Sequence, residues 1–127
     1  TLDFCHMLMA GESPAAGLAL AAARNRLLGI HLNDGYRLND DGLMVGSVHL
    51  LQTLEFLYYA KKYDYRRAVY FDTFPLREDP ALECRQNIRM VEKLSAALEG
   101  MGLETIHAMV ASQAGTTAMD ILHGLLK

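Results

Sequence analysis

Four polar clusters punctuate this chain, each at or just after the end of an apolar, strand-like run. They are Asp3-Phe4-Cys5-His6, His31-Leu32-Asn33-Asp34, Asn39-Asp40-Asp41 and Phe71-Asp72. Segments with helical patterning separate the runs, and strands that alternate with helices build a parallel sheet. A parallel sheet presents the C-terminal ends of all its strands at one face, so polar groups at those ends converge. Carboxylates and imidazoles together are a ligand set for a hard or borderline divalent cation. The pattern therefore predicts an α/β fold carrying part of a metal site at one end of its sheet.

The expected order is strand, helix, strand, helix, strand, helix, helix. Thr1 to Phe4 reads as the first strand. A short loop follows, and Ser13-Pro14 then opens a helix, Ser as N-cap and Pro at the first helical position. That helix runs to about Leu28, where Gly29 stops it. Ile30 to Leu32 is a short buried strand. The polar stretch from Asn33 to Gly46 is a long loop of the kind that carries function on a rigid scaffold. Ser47 caps the next helix, with Val48, Leu51, Leu54 and Leu57 or Tyr58 recurring at helical spacing. Ala68 to Phe71 is a continuous apolar run, the pattern of a strand buried on both faces. Asp79-Pro80 repeats the cap-plus-proline signal for a helix to about Leu98, ended by Gly100 and Gly102. Leu103 to Lys127 is helical with a break near Gly115.

The bulk properties exclude several classes. Of 127 residues, 51% are hydrophobic and 21% charged, a globular rather than a disordered balance. A net charge of −3 and the lack of a basic run give no footing for nucleic acid. Lys61-Lys62 with Arg66-Arg67 reads as the solvated end of a helix. No run of about 18 uninterrupted apolar residues is present, so no membrane span is expected. The opening shows no basic region followed by an apolar core, as a signal peptide would. Two cysteines, Cys5 and Cys84, lack the count and spacing of a disulfide framework, which suits a reducing, cytoplasmic setting. The chain begins without Met and enters directly into a strand-like segment, so we expect it to be part of a longer polypeptide. Three strands cannot close a barrel, and an eight-stranded one needs about 250 residues.

The candidate ligands each have a plainer alternative. Asp3 and His6, three apart where a strand meets a turn, can point into one cavity; the same spacing suits a turn cap beside a hydrogen-bonded histidine. His31 lies in an apolar strand but near its end. Asp72 closes another apolar strand, where a carboxylate needs a partner or a metal; Arg77 is the basic residue that could supply the former. Asp40 and Asp41 form an acidic loop pair that needs no ligand. Asn33 and Asp34 suit an Asx-turn with Gly35. His49, His107 and His123, and the seven methionines, read as structural. Cys5 beside His6 leaves a nucleophile in view.

Taken together, these residues resemble a known superfamily. Phe71-Asp72-x-x-Pro75-x-Arg77 resembles the last barrel strand of xylose isomerases. Asp3-x-x-His6 is similar to the acid-x-x-His pair on the sixth strand of that superfamily. His31-Leu32-Asn33-Asp34 is closer to the seventh strand of the L-rhamnose isomerase branch and of the related endonuclease IV. The segment from Asp40 to Gly46-Ser47 is similar to the loop that supplies a second metal. The resemblance implies that residues 1–127 are the C-terminal part of a (β/α)8 TIM barrel, strands six to eight plus C-terminal helices. It implies a first divalent ion (Mn, Mg, Co or Zn) on Asp3, His31 and Asp72, with a glutamate from outside this chain, and a second on His6 and Asp40. At position 42, where the family carries another acid or a histidine, this chain has Gly, so that either Asp41 substitutes with a shifted backbone or the second site is weak or absent. The implied activity is aldose–ketose isomerisation by a metal-assisted hydride shift on a sugar. The implied partners are the rest of the barrel, in the same or another chain, and further copies of the protein. Within the superfamily an epimerase would carry a glutamate where Asp72 stands, and endonuclease IV a histidine at 42 and a basic surface. A non-catalytic half-barrel is the rival from another class, and Gly42 suits it.

Overall fold

Asp3 ends one element and begins the next, and that double duty sets up the fold. The computed structural model describes residues 1–126. Leu2–Asp3 form strand β1, and helix α1 starts at once over Phe4–Met9. The Asp3 carboxylate accepts the His6 N–H at 3.0 Å, which caps that helix. A short helix thus replaces the expected loop after His6.

Helix α2, Pro14–Ala23, opens as anticipated, with the Ser13 hydroxyl accepting the Ala16 N–H. It ends earlier than Gly29 suggests, because Asn25 takes the left-handed conformation at φ 53°, which Asn tolerates better than most residues. Strand β2 is Ile30–Leu32 and helix α3 is Leu50–Lys62. The N-cap of α3 is His49 rather than Ser47. Strand β3 is Val69–Phe71, and helix α4, Pro80–Met101, is capped by Asp79 through the Ala81 and Leu82 N–H groups. Helices α5, Leu103–Ala111, and α6, Gly115–Leu125, follow. The expected helical segment breaks just before Gly115; its last residue, Lys127, lies outside the described residues.

The result is a mixed α/β fold, mostly helical, around a three-stranded parallel sheet of order β1-β2-β3. Asp3 pairs with His31, and His31 with Tyr70. Phe4, Leu8, Leu18, Ile30, Leu32, Val45 and Phe56 form the heart of the core. Phe4 meets Phe56 edge to face, centroids 5.4 Å apart, the favoured geometry for two rings. Strand β3 departs from expectation: Val69 and Tyr70 are exposed. It is an edge strand of this sheet, so its apolar residues are covered less than those of the central β2, where Ile30 and Leu32 are buried. No helix among the described residues is long and apolar enough to cross a membrane.

Candidate metal centre

The register explains why three side chains from distant parts of the sequence meet. Neighbouring residues on paired parallel strands point to the same face, and residues two apart along a strand do so too. Asp3 sits beside His31, and His31 beside Tyr70. Asp72, two residues beyond Tyr70, therefore returns to the His31 side. The His31 Nδ1 lies 3.4 Å from Asp3 Oδ2 and 3.3 Å from Asp72 Oδ2. One ligand atom from each of the three lies within 4.8 Å of the others. The Tyr70 ring flanks His31 at 5.2 Å between centroids.

Charge makes this cluster more than a hydrogen-bonded trio. Two carboxylates face one imidazole, so even a protonated His31 leaves one negative charge uncompensated. Among the described residues no lysine or arginine forms an ion pair with Asp3 or Asp72. Arg77, the partner the sequence offered for Asp72, makes none. A divalent cation would supply the missing charge, and two carboxylate oxygens with one imidazole nitrogen are a fitting donor set for it. Asp3 does cap a turn, through Oδ1, and this leaves Oδ2 facing His31.

A second pair stands on the loop side. His6 Nε2 lies 3.1 Å from Asp40 Oδ2. The hydrogen bond to Asp40, followed by the Asp3 charge, raises the His6 pKa above its ordinary value. The other Asp40 oxygen, Oδ1, is buried without a hydrogen-bond partner. Of the five candidate ligands, Asp3 ends β1, His31 lies in β2, Asp72 directly follows β3, His6 stands in α1 and Asp40 lies on the long loop.

The remaining candidates shape the loop. Asp41 Oδ2 accepts the Tyr36 N–H at 2.6 Å. Asp34 is fully buried and accepts from Gly35 N–H, Val48 N–H, His49 N–H and His49 Nδ1–H. Asn33, also buried, accepts the Cys5 N–H through Oδ1. Cys5 is buried, and that burial pushes its thiol pKa up, opposite to what a nucleophile needs. His49 does hold a structural role, as expected, but its bond to Asp34 across the loop carried no sequence signal. Gly42 takes φ +58°, its carbonyl accepts the Phe74 N–H at 2.8 Å, and a Cβ added there would run into the Phe74 ring. No protein-family pattern matches the chain and no curated protein is similar to it in sequence, so a functional reading rests on the residues and their arrangement.

Proposed function

We propose that this chain supplies part of the metal centre of a divalent-metal-dependent sugar isomerase, and that its three parallel strands belong to the C-terminal part of a (β/α)8 barrel. The observation that carries this reading is the Asp3–His31–Asp72 cluster at the C-terminal end of a parallel sheet. Strands β1 and β3 are the two edges of that sheet, where further strands would pair. The substrate would be a small sugar. The reaction is an aldose–ketose interconversion, in which a hydride moves between C1 and C2, oxidising one carbon and reducing the other.

Asp3, His31 and Asp72 would hold the ion. Mn, Mg, Co and Zn all suit this mixed carboxylate and imidazole set. When bound, such an ion polarises a carbonyl and fixes adjacent hydroxyls. The chain's own groups do the positioning. Asp3 is locked by the cap of α1, and His31 is steadied between two carboxylates and against Tyr70. His6 and Asp40 offer a polar edge on which sugar hydroxyls can bond. An epimerase of the same superfamily is the nearest alternative activity. A half-barrel without chemistry is the rival that Gly42 favours.

Metal content separates these readings. The protein is loaded with manganese, desalted and assayed by elemental mass spectrometry beside Asp3→Ala and Asp72→Ala. Altering a group that merely orients a ligand weakens metal binding about 10–100-fold, so loss of a ligand itself should cost at least that. Retained manganese that both variants lose supports the proposal and justifies a panel of sugars. Equal retention in all three proteins, or none in the parent, refutes it in favour of the non-catalytic module.

A further inference from the structure

Resting on that reading, we infer that Phe74 limits the centre to one tightly held ion, by filling the space in which a further ligand beside Asp40 would sit. The argument starts from the His6–Asp40 pair. Two side chains are few for a tightly held ion: zinc sites supply three or four protein ligands, and magnesium held by one or two carboxylates keeps several of its waters. The groups nearest in sequence are already committed. Asp41 packs against Gly35 with its Oδ2 on the Tyr36 N–H, and the Cys5 thiol is buried with the Asn39 carbonyl 3.8 Å from its sulfur.

Position 42 is a further place on this loop from which a ligand could enter, two residues on from Asp40. It has no side chain, and the Phe74 ring lies where a Cβ would be. The contact is doubled by the Phe74 N–H bond to the Gly42 carbonyl. Phe74 follows Asp72 by two residues, so this clamp ties the loop bearing Asp40 to the end of β3. Phe74 is thus a positioning residue: it sets the loop against the strand end and excludes a ligand at the same time. The conformation at position 42 strains any side chain but is the smaller obstacle for an aspartate. At φ +58° aspartate is among the side chains that adopt the left-handed region most readily.

The test is a manganese count with a spectroscopic readout that does not depend on turnover. The parent, Gly42→Asp with Phe74→Ala, and Gly42→Asp with Phe74→Leu are each titrated with manganese. Bound ions are counted after desalting, and paramagnetic resonance reports whether two ions couple. We expect one isolated ion in the parent and a second, coupled ion in at least one double variant. The leucine variant guards against loss of the fold on truncation to alanine. Two retained ions in the parent would overturn this inference and leave the isomerase reading standing. A count that stays at one in both folded double variants would overturn the role given to Phe74. No retained ion in the parent would overturn the metal reading itself, and this inference with it.

Discussion

Replacing Asp34 by alanine tests how the long loop is held. The carboxylate is completely buried and accepts four hydrogen bonds, at 2.9 Å from Gly35, 2.9 Å from Val48, and 2.8 Å from both the backbone and the ring of His49. It thereby ties Asp34, just after β2, to the residues that open α3, closing a loop that includes Asp40. A hydrogen bond to a charged group is worth about 1.5–3 kcal/mol, but four that share one acceptor do not add. Removing one partner from a buried polar network with charge costs about 3–5 kcal/mol, chiefly because the Val48 and His49 donors are left without water or acceptor. We therefore expect Asp34→Ala to lose about 4 kcal/mol. At a urea slope of about 1.5–2 kcal/mol per M this lowers the unfolding midpoint by about 2–3 M. Asp34→Asn should fall between, since its amide keeps one acceptor but turns a donor toward other donors. Amide hydrogen exchange should rise first at Val48 and His49. A midpoint shift of less than about 0.5 M in Asp34→Ala, which is below about 1 kcal/mol, would refute the reasoning.

Other expectations follow from single contacts. Phe56→Ala, which empties the ring packed against Phe4 at 0% exposure, should cost about 3–5 kcal/mol in urea unfolding; a loss below about 1 kcal/mol would mean the core re-forms around the gap. Iodoacetamide should label the exposed Cys84 promptly and leave Cys5 untouched until the protein unfolds, because Cys5 is buried and its thiol pKa is raised; equal rates by mass spectrometry would contradict that burial. In metal-free protein, His6 should titrate above the ordinary histidine range and move back in Asp40→Asn, since the Asp40 hydrogen bond is the main cause of its shift. A folded-state pKa above the unfolded one means the pair stabilises fully below the unfolded value, and that this is lost as pH rises through the folded value. His6 is largely exposed, so the effect on stability is small and proton NMR is the proper readout. An Asp40→Asn spectrum with an unmoved His6 would show the pair does not form.

What the sequence revealed and what it hid divide along the range of the interactions. The Asp3, His31 and Asp72 positions were legible because each follows a short apolar run, and the parallel register alone brings such ends together. The caps at Ser13 and Asp79 were legible for the same reason: the bond that matters is three residues long or less. Helix α1 was missed although Asp3 carries an N-cap side chain, because the apolar residues before and after it fit a strand equally well over so few positions. The early end of α2 came from Asn25 adopting φ 53°, a choice that Gly29 masked. The apolar run in β3 suggested burial on both faces, yet composition cannot tell a central strand from an edge strand when the run is three residues long.

The interactions that hold the loop were beyond reach for a different reason. Asp34 and His49 are fifteen apart, and nothing local marks either as the other's partner; Asp34 read as one more loop acid. The same holds for Gly42 and Phe74. A glycine two residues after Asp40 looked only like a missing ligand, and Phe74 like a neighbour of Asp72 within a motif. In the fold they are two halves of one contact: the ring occupies the place of the absent side chain, and the glycine carbonyl takes the phenylalanine N–H. The absence of a ligand at 42 is thus coupled to the packing of the strand that carries Asp72. Placing a carboxylate at 42 without altering Phe74 should therefore disturb the Asp72 side of the cluster rather than add to the Asp40 side. On the proposed reading of the cluster, Gly42→Asp alone is expected to retain less manganese after desalting than the parent, and the double variants to recover it.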